Sequence, residues 1–310
     1  MRRRAPDRAG VLPPAGSPAP SSRAAGAPPG GASPALALAP AFPPADALPL
    51  SPALAAFDAV APVFDERYGA WASVAAQRRA VRRHLLAAFP PGASLLELGG
   101  GTGEDAVFLA ARGRRVLVTD GAPGMVARAR AKIEAAGLGD VVSAAPLALE
   151  ALEAFARARA EAGEPPFDGA YSNFSALNCV ADLRPVARGL AALLRPGAPA
   201  LLVLFGPFPP GELVVELARG RPRAALRRLA RGPVPARIAG RPFAVHYHRP
   251  RDVARAFAPY FRLEAMRGIG IFVPPSAAEP EISRCPRLLR LLKALDRAAA
   301  RPLARLGDHV

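Results

Sequence analysis

The chain has 310 residues, a formal net charge of +16 and a pI near 11.4; this length admits one large domain or two small ones, and at 51% hydrophobic it can bury a sizeable core. Two cysteines, Cys179 and Cys285, exclude a disulfide framework and a cysteine-rich metal site, and suit a reducing cytoplasm. No apolar run reaches the roughly 20 residues of a membrane span.

Basic balance of this size points to nucleic acid or an anionic membrane. Nearly all of it is arginine, however, with lysine only at Lys132 and Lys293, and alanine, proline and glycine are abundant. A GC-rich coding bias explains such usage without a binding surface.

Residues 1–48 form a Pro/Ala/Arg-rich tail without periodicity, expected to be disordered. Arg2-Arg3-Arg4 opens it, but no uninterrupted apolar core follows, so no signal peptide is expected. Residues 49–310 are the folded part. Helices are predicted near 53–67 and 70–88. Strands near 93–98, 114–119, 140–144, 167–172 and 199–205 then alternate with helices near 103–112, 123–136, 147–161 and 182–194. Continuous apolar strands separated by helices predict an α/β fold: a mostly parallel Rossmann-like sheet with helices on both faces. An insertion over about 207–249 should carry helices near 211–219 and 222–231 and a hairpin near 236–247. A helix near 250–259, a strand near 261–273 and an amphipathic helix over 279–300 close the chain.

The first strand runs into Leu98-Gly99-Gly100-Gly101-Thr102-Gly103-Glu104, a loop almost without side chains ahead of a helix. Such a loop lets backbone approach a ligand closely, and the helix aims free N–H groups at it. Gly101-x-Gly103-x-x-Ala106 loosely fits the dinucleotide fingerprint. Glu97-x-Gly99-x-Gly101-x-Gly103 fits a second pattern, with an acid inside the strand that a dehydrogenase does not need. The next strand ends in Asp120, where a carboxylate can accept both ribose hydroxyls of an adenosine.

The second pattern resembles motif I of class I S-adenosylmethionine-dependent methyltransferases. Asp120-Gly121-Ala122-Pro123-Gly124-Met125 resembles their D-x-[SA]-P-x-M turn. Phe57-Asp58-Ala59-Val60-Ala61-Pro62-Val63-Phe64-Asp65 resembles the F-D-x-x-A-x-x-[YF]-D segment of the bacterial ubiquinone- and biotin-pathway small-molecule methyltransferases. Phe167–Phe174 and Leu193–Phe205 resemble the fourth and fifth strands. The resemblance spans roughly 53–273 and implies S-adenosylmethionine as cofactor. It implies Glu97, Gly99, Gly101 and Gly103 at the methionine half, Asp120 at the ribose, Met125 at the adenine and an aromatic, Phe64 or Tyr68, closing over it.

Two departures stand out. After the third strand the family's acid is missing from Ser143-Ala144-Ala145-Pro146-Leu147, leaving adenine to backbone groups and Met125. The last strand is short, the chain stopping at Gly307-Asp308-His309-Val310, by truncation or as a natural end.

Methyl transfer needs alignment and water exclusion more than a catalytic triad, and the sequence shows no triad. His246 and Tyr247 are the catalytic candidates. His246 and His248 also alternate as metal ligands would, but no third ligand is evident, and no metal is expected. His84 reads as structural. Asn173, Phe174 and Asn178, at the fourth strand, are candidate acceptor-site residues. Phe208, with Leu213, Val214 and Leu217, is expected to roof the acceptor pocket. Between Arg219 and Arg241 there are eight arginines and no acid. They form a solvated face or a contact for an anionic group or a membrane surface. The acceptor implied is a small or lipid-like metabolite. RNA or protein methylation, favoured by charge alone, and a non-catalytic cofactor-binding module are the alternatives.

Overall fold

The computed structural model describes residues 1–3, 50–69, 71–174 and 176–310. Of the tail expected over 1–48, residues 4–48 lie outside the described residues. Residues 1–3, by contrast, are paired: Arg2–Arg3 lie antiparallel to Phe261–Arg262, and the Met1 amino group donates to Ala200 O at 2.7 Å.

Strands β1 (Ser94–Leu98), β2 (Arg115–Asp120), β3 (Val142–Pro146), β4 (Gly169–Ser172) and β5 (Ala200–Leu202) form one sheet in the order β3-β2-β1-β4-β5. Every pairing in it is parallel, as the near-continuous apolar runs require. The strand order reverses beside β1, which puts the glycine loop at the crevice where such sheets bind ligands.

Helices α1 (Pro52–Val60), α2 (Phe64–Gly69) and α3 (Ala72–Ala88) precede the sheet. Then α4 (Glu104–Ala110), α5 (Pro123–Ala135), α6 (Leu152–Glu161) and α7 (Arg184–Leu193) connect its strands. After β5 come α8 (Pro210–Ala218), α9 (Pro222–Ala225) and the hairpin β6 (Pro233–Ile238) and β7 (Arg241–His246), followed by α10 (Pro250–Phe257) and α11 (Pro286–Ala299). Proline opens α1, α5, α8, α10 and α11, where its missing N–H costs nothing and its fixed φ suits the helix. Ser51 caps α1 through the Leu54 N–H.

Apolar side chains fill both faces of the sheet. Val81, Leu85, Leu109, Val126 and Ile133 cover one with α3, α4 and α5. Leu152, Phe155, Val186, Leu190 and Phe257 cover the other with α6, α7 and α10.

The strand expected over 261–273 is reduced to Phe261–Arg262. Gly268-Ile269-Gly270 interrupts it, with Gly270 at φ +69°, and glycine weakens a strand interior. Ile269 instead bridges His309, and His309 bridges Phe205, both antiparallel. The short Gly307–Val310 segment thus lies between the end of the fifth strand and Ile269, with Val310 and Leu204 exchanging both backbone bonds at 2.8 and 2.9 Å.

Candidate functional site

A cavity of about 320 Å³ opens at the carboxyl ends of β1, β2 and β4. Its floor is built by Glu97, Gly99, Gly101, Asp120 and Met125. Gly99 and Gly101 take φ of +61° and +57°, which only glycine adopts without strain. The Gly101 N–H donates to Asp120 Oδ2 and the Ala122 N–H to Oδ1, each at 2.9 Å. The carboxylate is therefore fixed in orientation while each oxygen keeps a further lone pair. Burial pushes its pKa up, against the pull of those two donors.

Gly103 does not line the cavity. A Cβ there would stand 3.2 Å from that of Ala129, so this glycine serves the close packing of α5 on the loop. The structure gives Gly103 this packing role.

Glu97 is 1% exposed, and its Oε2 has no hydrogen-bond partner of good geometry. The Tyr171 hydroxyl lies against it. Burial first, then the like charge of Asp105, push the Glu97 pKa well above the ordinary glutamate value. Asp105 accepts from Arg78 (2.8 Å), Arg82 (2.7 Å) and Asn173 Nδ2 (2.6 Å). Asn173 thereby ties β4 to the first turn of α4. Phe174, at φ +49°, carries its ring under the Arg78 guanidinium at 4.8 Å. Both line the cavity.

The segment ahead of the sheet closes one side. Asp58 Oδ1 accepts the Gly124 N–H at 2.6 Å. Asp65 accepts the Thr102 hydroxyl at 2.6 Å and pairs with Lys132 at 2.8 Å. Phe57 and Phe64 reach the cavity; Phe64 packs on Tyr68, ring centroids 4.9 Å apart.

The opposite wall comes from the hairpin. Phe243, Val245 and Tyr247 line the cavity, with Phe57 edge-on to Phe243 at 5.6 Å and Phe205 tilted against Tyr247 at 5.8 Å. Strand alternation puts His246 on the other face, where it stacks on His248 at 6.1 Å. His246 therefore does not face the cavity and the sequence expectation for it is corrected; Tyr247 does. Burial raises the Tyr247 pKa, so its hydroxyl keeps its proton near neutrality.

Asn178 is fully buried, its Nδ2 donating to His246 O (2.7 Å) and its Oδ1 accepting from the Phe205 N–H (2.9 Å). It lines the cavity as the clamp between β7 and the end of the fifth strand. Phe208 is 40% exposed and lies outside the lining, and Val214 and Leu217 face solvent. The roof expected of them is absent because α8 turns Glu212 and Glu216 inward instead, where Arg227, Arg228 and Arg221 pair with them.

Sequence reasoning passed over Leu147, Leu149 and Glu150, a turn after β3 that lines the cavity. Glu150 is the acid on the side where the third strand lacks one. It also passed over Phe243 and Val245, although their alternation with Tyr247 was legible.

Residues 96–200 match the family described as "Methyltransferase domain", over the strands and loops just described. Those residues, about a third of the chain, form a methyltransferase domain. The cofactor of this methyltransferase is S-adenosylmethionine. No curated protein matches the chain. Among solved structures, a Listeria monocytogenes protein assigned as an S-adenosylmethionine-dependent methyltransferase is 18% identical, covering 69% of this chain and 92% of that one at a TM-score of 0.49. A DhpI–SAM–HEP complex is 20% identical over 67% and 86%, at 0.47. A protein described by the conversion of a disulfide bond into a thioacetal group in echinomycin biosynthesis is 23% identical, at 0.39; the match covers 57% of this chain and 65% of that one's length.

The methyltransferase's own residues fit its cofactor. A buried carboxylate oxygen without a good partner, beside an open cavity, suits a cation, and the cofactor's α-ammonium is one. The fixed Asp120 carboxylate suits a pair of hydroxyls.

Proposed function

We propose that this methyltransferase transfers the methyl group of S-adenosylmethionine to a small, largely apolar acceptor held against the hairpin wall. The observation that carries the reading is the composition of that wall, which is aromatic and aliphatic from Phe57 through Phe243 and Val245 to Tyr247 and Phe205. Apolar walls with few convergent polar groups are the usual form of a small-molecule site. The free cysteines support a reducing cytoplasm as the compartment.

Glu97 and the Gly99–Gly101 backbone hold the methionine half, Asp120 the ribose, and Met125 with Leu147 the adenine. Phe64 closes over the cofactor. When bound, S-adenosylmethionine supplies an electrophilic methyl on a sulfonium with a neutral leaving group. The chain aligns the acceptor and keeps water out. Tyr247 retains its proton and orients the acceptor as a donor. No histidine lines the cavity among the described residues. That favours an acceptor atom nucleophilic without prior deprotonation.

Calorimetric titration with S-adenosylhomocysteine, then methyl transfer from labelled cofactor to a panel of apolar amines, thiols and phenols, tests the reading. Transfer to some members is expected; transfer to RNA or protein alone would overturn the acceptor class.

A further inference from the structure

Helix α11 is only half docked. Leu289 and Leu292 pack inward with Ala76, Val273 and Ile282. Leu288, Leu291 and Leu295, spaced three and four residues apart, form a second stripe, 47%, 57% and 40% exposed. At 1.5 Å per residue the helix is roughly 21 Å long, and the stripe runs about half of its length.

The charge around it is one-signed. Between Arg284 and Arg305 there are seven cations and one acid, Asp296. Six of the seven cations are exposed. Asp296 is turned inward, accepting the Phe272 N–H at 2.6 Å and the Val273 N–H at 3.4 Å. Around the wheel, Arg287 borders the leucines and Arg290, Lys293 and Arg297 occupy the far side. Helices of this pattern lie in a membrane interface, apolar stripe at the acyl boundary and cations at anionic headgroups. A second copy seated on the stripe would set two such arrays against each other, which repel. A polyanion such as RNA would cover the cations and leave the leucines wet. No helix among the described residues is long and apolar enough to cross a membrane, so contact would be in the plane of the surface.

We propose that α11 docks the protein on an anionic lipid surface through Leu288, Leu291 and Leu295 and the bordering Arg287. The proposal stands on this helix alone and is independent of the acceptor's identity.

The test uses the full chain and vesicles of phosphatidylcholine with or without phosphatidylglycerol. Flotation with the anionic vesicles only is expected. The triple variant Leu288→Ser/Leu291→Ser/Leu295→Ser should bind them at least about tenfold more weakly, with an unchanged melting temperature because the side chains are exposed. An environment-sensitive dye on Cys285, exposed one residue before α11, should shift to the blue on anionic vesicles. Cys179 stays unlabelled, because burial pushes its thiol up to about 12. Three outcomes overturn the proposal: no flotation of the unaltered protein, equal flotation of the triple variant (adsorption by net charge alone), or a dimer in analytical ultracentrifugation that the triple variant dissolves.

Discussion

The carboxylate of Asp58 caps a helix to which it does not belong: its Oδ1 accepts the Gly124 N–H at 2.6 Å, inside the first turn of α5. Helix α1 is thereby held on the turn that carries Asp120 and Met125. The contact leaves little room for a side chain. A Cβ at Gly124 would stand 2.9 Å from Asp58 Oδ1 and 3.2 Å from both Asp58 O and Ala61 Cβ.

Gly124→Ala is therefore expected to do the opposite of what helix propensity says. In an open helix the change stabilises by up to about 1 kcal/mol. Here the α1 backbone must move, at a cost of about 1–3 kcal/mol, and Phe57 and Phe64 move with it. Thermal melting and cofactor titration of the same variant check this; a raised melting temperature with unchanged affinity would show that α1 yields freely.

Glu97 should make cofactor binding pH-dependent. Its pKa is raised in the folded protein, so between the ordinary glutamate value of 4.5 and the raised one the native state holds a proton that the unfolded chain has lost. Stability from this residue falls as pH rises through that window. Glu97→Gln should flatten that part of the melting-temperature profile. A cation beside the carboxylate reverses the preference, so cofactor affinity should rise with pH across the window, with proton release on binding. Calorimetry in buffers of different ionisation enthalpy measures the proton, and in Glu97→Gln the release should vanish.

Asn178→Ala separates cofactor from acceptor. It removes both bonds that hold the hairpin to the fifth strand, each worth about 1 kcal/mol when made and more when the buried partner is left unpaired. Turnover should fall at least about tenfold through the acceptor KM as the Val245–Tyr247 wall loosens. Affinity for S-adenosylhomocysteine should stay within a few-fold, since none of the floor residues is touched. His246→Ala should leave both constants nearly unchanged, and Tyr247→Phe should be milder than Tyr247→Ala.

Much of this was legible in sequence because it depends on local chemistry. Apolar runs broken by turn residues marked the five strands, and the glycine spacing marked the loop at the end of β1. The Asp120 turn was readable for the same reason: an apolar strand ends there in a carboxylate, followed at once by Gly121-Ala122-Pro123-Gly124-Met125. What was hidden depended on partners distant in the chain. Helix α8 reads as amphipathic with Leu213, Val214 and Leu217 inward, yet it buries Glu212 and Glu216 because arginines from the following turns reach them. Asp308 and His309 read only as part of a short last strand; both are buried, His309 stacked on Phe205 at 5.1 Å and edge-on to Phe174 at 5.4 Å.

Arg228 joins those hidden parts, and the insertion cannot be removed without it. It is 6% exposed, pairs with Glu212, and reaches Asp308 Oδ1 at 2.6 Å and Asp308 O at 2.8 Å. Its guanidinium also lies 4.8 Å from the centre of the Phe205 ring. Replacing 208–247 by a short loop would strip Asp308 of this partner as well as removing the hairpin wall. Loss of cofactor binding in such a deletion would then report a damaged sheet edge, not a cofactor role for the insertion. The point variant is the cleaner measurement. Arg228→Gln leaves buried Asp308 without its arginine and Glu212 with Arg227 alone, and should destabilise by about 3–5 kcal/mol. Burial pushes the Asp308 pKa up, but the charges of His309 and Arg228 and the hydrogen bonds from Arg228 and Gln77 leave it below the ordinary aspartate value. A depressed carboxylate stabilises the fold above its unfolded pKa and loses that contribution as pH falls through the folded one. Arg228→Gln should therefore narrow the gap to the unaltered protein under acid conditions and widen it near neutrality. Equal losses at both pH values would mean that Arg228 acts by packing on Phe205 and Tyr247 and not by its charge.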